Sequence, residues 1–442
     1  MKNKGFGFRK VFLIGSLVVL FSTAGLAITL KESINLALVN NPSVQAAQSK
    51  LEASSSRVGQ AVSAFLPTFR VDASTGKNYT QPSIMQFDMG GVSQSLVVGT
   101  SEVYPSKSIQ LSVTQPLFTG GKLLTGYDVS RKGWDIANED FRKAKQEVVF
   151  NTISAYLGVL KAKKYVDLAN ESVDLTGKQV QRIQAMLNNG LVTKADLLRS
   201  QVQEANAQVA LLQANNSLEI AKNIYNNAVG NDIDTSVEVS DADYSQTLPE
   251  KRDDASLQAF AFDNRPDWRQ FVANKGIADD AVKMAYSGYM PTVALIGRTG
   301  DQITSYSNYT NDVSQWNWNI TGSWSLDNFA PPLRVREAAE NLDAVKANEE
   351  TVRRGIILDV RNSIYELKSA EESMPGAKKA VDLAQENYQA AVVRFEAGAT
   401  TNLEMMDAMI SLTEAKYRFT QAQYELEIAK AKINKVCGRD SY

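Results

Sequence analysis

The chain has 442 residues, of which 44% are apolar and 22% are charged, and its formal net charge is −2 at pH 7. The absence of histidine removes the commonest general base and metal ligand, and the acidic balance argues against a nucleic-acid partner. A single cysteine, Cys437, excludes an intramolecular disulfide. We therefore predict no enzyme activity and no cofactor.

The first 27 residues have the parts of a secretory signal peptide. Four basic residues precede an apolar run from Val11 to Leu20, and the small residues Gly25 and Ala27 follow it. This order predicts that 1–27 is a signal peptide cleaved after Ala27, with a retained membrane anchor as the alternative. No later apolar run has the length of a membrane helix.

The rest of the chain reads as a tandem duplication. AFLPTF at 64–69 recurs as GYMPTV at 288–293, and LEIAK occurs twice letter for letter, beginning at Leu218 and Leu426. Each copy has the order helix, strand, strand, very long helix, Gly turn, long helix. The sequence thus divides into a first structural repeat, an acidic linker and a second structural repeat: 28–230, 231–254 and 255–442.

Alternating apolar and polar residues predict two strands in each repeat. In the segment QWNWNITGSWSL, every even position from Trp316 to Leu326 holds an apolar residue or glycine, which is typical of a strand with one apolar face. Three tryptophans share that face: Trp316, Trp318 and Trp324. The predicted strands cover about 67–76, 107–118, 291–300 and 314–326.

Long helices fill most of the remainder. About 70 residues separate Gly120 from the predicted turn at Gly190, which as a helix would span about 100 Å. Apolar spacings of 3 and 4 indicate a coiled-coil seam, so each repeat is predicted to end in an antiparallel helical hairpin. The hairpin tips are predicted at about 188–194 and 396–402. Pro375-Gly376 is predicted to kink or loosen the second long helix.

The apolar faces of the four predicted strands must pack against something, and no other segment of the sequence is large enough to cover them. A closed β-barrel lets an exported chain meet lipid, and tryptophan favours the membrane interface. The tryptophans are therefore predicted to face lipid, with Arg70 and Asp72 on the luminal face. Because membrane barrels begin at about eight strands, several chains would share the barrel. A secreted coiled-coil rod without channel activity is the alternative, but it leaves the strands unexplained.

Four features resemble the TolC family of outer-membrane export ducts: the duplication, the two Gly tips, LKESINLALVNNPSVQAAQSKLEASSSRVGQAVSAFLPTF (30–69) and QPLFTGGKL (115–123). The resemblance implies a mainly α fold with a transmembrane β-barrel portion, in which a homotrimer shares a 12-stranded β-barrel and a 12-helix periplasmic α-barrel. It implies an outer-membrane channel for efflux or type I secretion, surrounded by outer-membrane lipid. The implied partners are a periplasmic adaptor and an inner-membrane pump of the RND, ABC or MFS type.

The resemblance also gives the hairpin tips a role. They are expected to form the adaptor-docking surface: Gly190, Leu191, Val192, Thr193, Gly398, Ala399, Thr400 and Thr401. The alternative is that Gly190 and Gly398 serve only as helix C-caps, because glycine readily adopts positive φ. Thr400 occupies the family's basic gate-locking position, so that part of the lock must differ or be absent.

Acidic residues after the tips are candidates for a periplasmic pore constriction. Glu404 and Asp407 match the family's acidic positions, and three chains would place six carboxylates around one entrance. Asp196 is the equivalent candidate in the first repeat. Glu404 and Asp196 each stand three residues after a threonine, so helix capping is an alternative explanation for both. Asp407 lies one turn further into its helix, where capping no longer applies.

Overall fold

The structure is a computed structural model that describes residues 27–99, 101–241, 244–245, 247–249, 253–307, 309–325 and 330–440. Residues 1–26 of the predicted signal peptide, parts of the predicted linker and Leu326 of the last predicted strand lie outside the described residues. The mainly helical fold with a strand-containing region that the sequence predicts is confirmed.

The described helices are α1 Leu30–Asn40, α2 Pro42–Ser63, α3 Lys122–Asn188, α4 Lys194–Val229, α5 Asp254–Asn264, α6 Pro266–Tyr286, α7 Ala330–Glu396 and α8 Asn402–Val436, with a short 3-10 helix at Ser287–Tyr289. The described strands are β1 Thr68–Thr80, β2 Ser83–Met89, β3 Val92–Val98, β4 Glu102–Phe118, β5 Thr292–Ser305 and β6 Thr310–Ser323.

The two halves of the chain repeat the same close contact. Gly230, directly after α4, has φ +83° and lies against the backbone of Asn40 and Asn41 at the junction of α1 and α2. Gly438, directly after α8, has φ +73° and lies against the backbone of Asn264 and Arg265 at the junction of α5 and α6. A Cβ at either glycine would approach backbone atoms to 2.8–2.9 Å, so this contact requires glycine in both copies.

Four strands form one antiparallel sheet in the order β1-β4-β5-β6, which leaves β1 and β6 as its edge strands. These strands overlap the four that the sequence predicts, and each of them extends beyond the predicted limits by several residues at one end. The sequence analysis missed β2 and β3, which form a separate hairpin between β1 and β4. Gly90 and Gly91 turn this hairpin with positive φ, and every residue of its two strands is exposed.

The long helices pack side by side in the order α4-α3-α8-α7. The helices α3 and α7 have 67 residues each, so each spans about 100 Å. The helix α7 is continuous through Pro375, and the kink expected there stays a prediction. Among the described residues, no helix is both long enough and apolar enough to span a membrane.

The largest buried cluster lies where α1, α3 and α4 meet the segment between the repeats. Val237 and Val239 of that segment are buried in it, so the predicted linker contributes to the core. Tyr156 of α3 donates its hydroxyl to the carbonyls of Ile28 and Ser240, at 3.1 and 2.5 Å. Burial raises the pKa of Tyr156 to about 12, so this phenol stays protonated well above neutral pH.

Candidate functional site

One face of the four-stranded sheet is apolar and exposed. Two cross-strand rows, read from β1 to β6, define this face: Phe69–Val113–Gly297–Trp318 and Val71–Leu111–Thr299–Trp316. Trp316 and Trp318 are 76% and 64% exposed, and Ile320 on the same face is 64% exposed. Trp324 follows β6, and its indole nitrogen donates to the carbonyl of Tyr289 at 3.2 Å. An apolar surface of this extent requires a partner or lipid.

The opposite face of the sheet is polar. Two neighbouring rows lie on it: Arg70–Ser112–Arg298–Asn317 and Asp72–Gln110–Gly300–Gln315. Nε of Arg70 is 2.8 Å from Oδ1 of Asp72, in an exposed ion pair along β1. The sheet therefore separates Arg70 and Asp72 from the tryptophans, as the alternation along each strand predicts.

The two hairpin tips have the same backbone geometry. Gly190 and Gly398 have φ of +70° and +69°. The N–H of Leu191 donates to the carbonyl of Met186, and the N–H of Ala399 donates to the carbonyl of Arg394, at 2.9 and 2.8 Å. Both turns are Schellman motifs, which end a helix on a left-handed residue. Helix C-capping is therefore one role of both glycines.

The residues that start α4 and α8 differ between the repeats. Thr193 and Asp196 form a complete capping box, because the Thr193 hydroxyl oxygen accepts the Asp196 N–H and the Asp196 carboxylate accepts the Thr193 N–H. Bonds from the Thr193 hydroxyl and N–H lower the pKa of Asp196. In α8 the Thr401 hydroxyl caps the Glu404 N–H, but the Glu404 carboxylate accepts from the hydroxyl of Thr400.

Asp407 has no capping role and points to solvent. It is exposed on the same side of α8 as Glu404, three residues further along the helix. Its carbonyl accepts the Ser411 hydroxyl at 2.8 Å, and its carboxylate takes part in no ion pair among the described residues. Asp196, in contrast, is half-buried and engaged in its capping box. Glu404 and Asp407 therefore both lie on the exposed side of α8, and within the described part of the chain only the Glu404 carboxylate has a side-chain hydrogen bond, from Thr400.

A buried polar network that the sequence analysis missed joins the two hairpins near their tips. Gln179 of α3 donates from Nε2 to Oδ1 of Asn402 in α8 at 2.8 Å. Nδ2 of Asn402 is 3.1 Å from the Ser200 hydroxyl oxygen of α4. All three side chains are buried. Asn402 lies more than 200 residues from both Gln179 and Ser200 in the chain, so no local sequence pattern could have revealed the contact.

Among the described residues, two ion pairs connect the hairpins on the tip side, and a third, Lys435–Glu147, connects them farther from the tips. Arg182 of α3 lies 3.1 Å from Glu396 at the end of α7, and Lys416 of α8 lies 2.6 Å from Glu171 of α3. The side chains of Arg182, Glu396 and Glu171 are 40–55% exposed, so solvent screens these pairs. The tip region is thus joined by one buried amide network, two weak surface pairs and a buried apolar cluster that includes Ile183, Leu197, Phe395 and Met405.

The outer edges of the helix layer carry exposed apolar residues. On α4 they recur at helical spacing: Leu198, Val202, Val209, Leu212, Ile220 and Ile224. On α7 they are more widely spaced: Leu333, Leu358, Tyr365, Leu383 and Val393. Because α4 and α7 are the first and last helices of the layer, both edges are apolar and uncovered in one copy of the chain.

Comparisons with known proteins agree with this architecture. A family model described as "Outer membrane efflux protein" matches residues 33–231 and 260–439. The Salmonella enteritidis outer membrane protein TolC is 24% identical over 440 residues, covering 96% of this chain and 85% of TolC. The Pseudomonas aeruginosa alkaline protease secretion protein AprF is 23% identical, covering 97% and 88%. The Cupriavidus metallidurans cobalt-zinc-cadmium resistance protein CzcC is 22% identical, covering 79% and 84%.

Solved structures share the fold. The Campylobacter jejuni CmeC outer membrane channel superposes with a TM-score of 0.76 at 17% identity, covering 92% of this chain and 85% of CmeC. CusC gives a TM-score of 0.79 at 16% identity, covering 95% and 96%. The family match covers most of the chain and removes the alternative of a coiled-coil rod without channel activity. The chain belongs to the outer membrane efflux protein family and is an outer-membrane efflux channel, not an enzyme.

Proposed function

We propose that three copies of this chain form one continuous duct, with a shared 12-stranded β-barrel in the outer membrane and a 12-helix barrel in the periplasm. Each copy supplies the sheet β1-β4-β5-β6 and the helix layer α4-α3-α8-α7. The edges of these two layers carry the proposal: β1 and β6 are edge strands, and α4 and α7 end in exposed apolar rows. In a monomer, unpaired edge strands and uncovered apolar helix edges would promote aggregation. In a closed ring, each edge is covered by the opposite edge of the neighbouring copy.

In this assembly the apolar sheet face meets lipid and the polar face lines the lumen. Trp316 and Trp318 share their face with Val71 and Leu111, while Arg70 lies on the other face. A lipid-exposed barrel must be apolar outside, and its lumen is polar because water and cargo pass through it. Trp324 lies at the helix-proximal end of the sheet, where an interfacial indole fits.

The hairpin tips lie at the end of the molecule opposite the barrel and form the docking surface for a periplasmic adaptor, which couples the duct to an inner-membrane pump. The names of the relatives AprF and CzcC refer to protein secretion and to metal resistance. Because these names point to different cargo, the duct would provide the passage and the pump would select the substrate. Glu404 and Asp407 form an acidic constriction at the entrance, with Asp196 held in its capping role.

The assembly is tested by placing a charge in the exposed row of α4. Val209→Glu is expected to convert a trimer into smaller species on native mass spectrometry, because the carboxylate would be buried between neighbouring copies. Gln208→Glu, on an exposed polar position beside it, is the control and is expected to stay trimeric. A monomeric natural protein in detergent and in lipid, or a Val209→Glu trimer of unchanged stability, would overturn the proposal.

Adaptor docking is tested separately at a tip. Gly398→Val is expected to leave a folded trimer in the outer membrane that no longer supports export, since a valine disfavours φ +69° and projects a branched side chain at the docking surface. Gly376→Val, in the middle of α7 with open space around its Cα, is the control for a surface change elsewhere. Export with normal adaptor cross-linking in Gly398→Val would mean that the tip is only a turn.

A further inference from the structure

Two lysines lie side by side on the apolar sheet face, at the end of the sheet remote from the long helices. The register pairs Lys77 of β1 with Pro105 of β4, and Lys107 of β4 with Thr75 of β1. Lys77 and Lys107 are therefore diagonal neighbours on one face, with Cα atoms about 7–8 Å apart. Val71 and Leu111 precede them on that face, so the surface changes from apolar to basic toward this end.

Both lysines are exposed, and neither takes part in an ion pair among the described residues. The other charged groups on this part of the face are Asp301 of β5 and Asp312 of β6. Asp301 lies opposite Ile109, which makes it a diagonal neighbour of Lys107, while Asp312 lies two strands away from Lys107. The β1-β4 half of the face is thus basic and the β5-β6 half is acidic.

A lipid-facing surface that changes from aliphatic and indole side chains to lysines matches the change from acyl chains to headgroups. Lysine keeps its aliphatic stem along apolar surface and places its ammonium at the polar boundary. An ammonium is a compact point charge with three donors, well suited to a phosphate oxygen. Tyr79, two residues beyond Lys77 on the same face and 60% exposed, adds a side chain typical of the interface.

We propose that Lys77 and Lys107 together bind the phosphate of a phosphorylated lipid in the outer leaflet of the membrane around the barrel. The inference rests on the proposed orientation of the sheet, with its tryptophan face toward lipid. The two flexible side chains reach one phosphate group from adjacent strands, and the apolar rows below them hold the acyl chains of the same lipid. The site recognises a charged headgroup, so each copy of the chain would bind one lipid at the outer surface of the barrel.

The experiment measures lipid binding to the purified oligomer by native mass spectrometry. The probes are a diphosphorylated glycolipid, its dephosphorylated form and inorganic phosphate. Lys77→Gln with Lys107→Gln is expected to weaken binding of the phosphorylated lipid about 10- to 30-fold and leave the dephosphorylated lipid unchanged. Arg298→Gln, which removes a cation from the opposite face of the same sheet, is the control and is expected to bind as the natural protein does.

Equal binding by the double variant, an equal loss in Arg298→Gln, or equal affinity for the phosphorylated and dephosphorylated lipids would overturn the inference. If inorganic phosphate displaces the phosphorylated lipid at a concentration equal to that of the lipid, the lysines bind any free anion. That result contradicts a lipid site. A second contradictory result is weaker, salt-sensitive oligomer association with unchanged lipid binding, because the lysines would then pair with a carboxylate of a neighbouring copy across the sheet edge.

Tryptophan quenching by brominated lipids separates this inference from the proposed orientation. In reconstituted vesicles, both the natural protein and the lysine variant are expected to be quenched, since Trp316 and Trp318 lie on the same face as the lysines. Quenching with no phosphate preference contradicts the lysine site alone. An absence of quenching in the natural protein contradicts the orientation on which the site depends, and with it the proposed lipid-facing surface.

Discussion

The side-chain amide of Gln179 donates to that of Asn402 over 2.8 Å and so joins the two helical hairpins of one chain near their tips. Asn402 is held in turn by the Ser200 hydroxyl at 3.1 Å and by its place in the first turn of α8. A hydrogen bond between buried amides is modest in net energy but costly to break on one side only. This asymmetry makes the pair a sensitive test of how the tips are held.

Replacing one member of the pair should loosen the tips more than replacing both. Asn402→Leu leaves the buried amide of Gln179 without a partner, at a cost of about 1–3 kcal/mol. The double variant, which adds Gln179→Leu, removes both polar groups and should recover part of that loss. The measurement is single-channel conductance, which should rise in Asn402→Leu and fall back in the double variant.

The control is Gln184→Leu, because Gln184 is exposed and its side chain donates to Asn188 within the same helix. It should leave conductance unchanged. If Asn402→Leu conducts like the natural protein, or if the double variant conducts as much as Asn402→Leu or more, Gln179 and Asn402 do not act together in holding the tips.

Local sequence patterns predicted most helices, strands and turns of this fold, but they did not predict contacts between residues that are far apart in the chain. The alternation around Trp316 and the turn at Gly190 are signals within one element, so they could be read from the sequence. The hairpin β2-β3 had a readable signal too, since Gly90-Gly91 separates two short runs rich in apolar residues. The Gln179–Asn402 bond had none, because it depends on how two helical hairpins pack together.

The orientation of the sheet predicts unequal tolerance of charge at neighbouring positions of β6. Ile320→Arg places a cation on the apolar face and should impair assembly, at a cost of about 2–4 kcal/mol near the bilayer midplane. Asn319→Arg points to the polar face and should be tolerated. The yield of heat-stable oligomer in outer-membrane fractions measures both. Equal yields would mean that the faces are assigned the wrong way round or that neither meets lipid.

The left-handed turn at the second tip predicts opposite effects of alanine at two glycines of the second repeat. Gly398→Ala adds a Cβ at φ +69°, where open space surrounds it, so its cost is conformational strain of about 1–2 kcal/mol. Gly355→Ala, in an ordinary turn of α7, should stabilise its helix by up to about 1 kcal/mol. Hydrogen exchange of the Ala399 amide, which donates to Arg394, reports the first change. Similar exchange rates in Gly398→Ala and the natural protein would contradict the strain argument.

The lowered pKa of Asp196 predicts an acid-sensitive start to α4. Because the folded state lowers this pKa, the capping box contributes stability above the unfolded pKa, near pH 4, and loses it as the pH falls through the folded value. Protection of the first-turn amides of α4 should decline below about pH 4 in the natural protein and show little pH dependence in Asp196→Asn. Asp174→Asn, on α3, is the control, and a matching pH profile in Asp196→Asn would exclude this carboxylate as the cause.

The last prediction concerns the acidic residues that follow the second tip. Glu404 and Asp407 are exposed on one side of α8, and in a trimer they would bring six carboxylates to one entrance. Crowded carboxylates attract cations, so reconstituted channels should prefer cations and be blocked by multivalent cations from the side of the tips. Glu404→Gln with Asp407→Asn should weaken both properties, and each single substitution should weaken them in part, because the Glu404 carboxylate keeps its charge while it accepts the Thr400 hydroxyl. Asp174→Asn is the control, since this exposed carboxylate lies on α3, where it pairs with Lys178, and is not a constriction candidate. Unchanged selectivity and block in the double variant would place the constriction elsewhere along the duct.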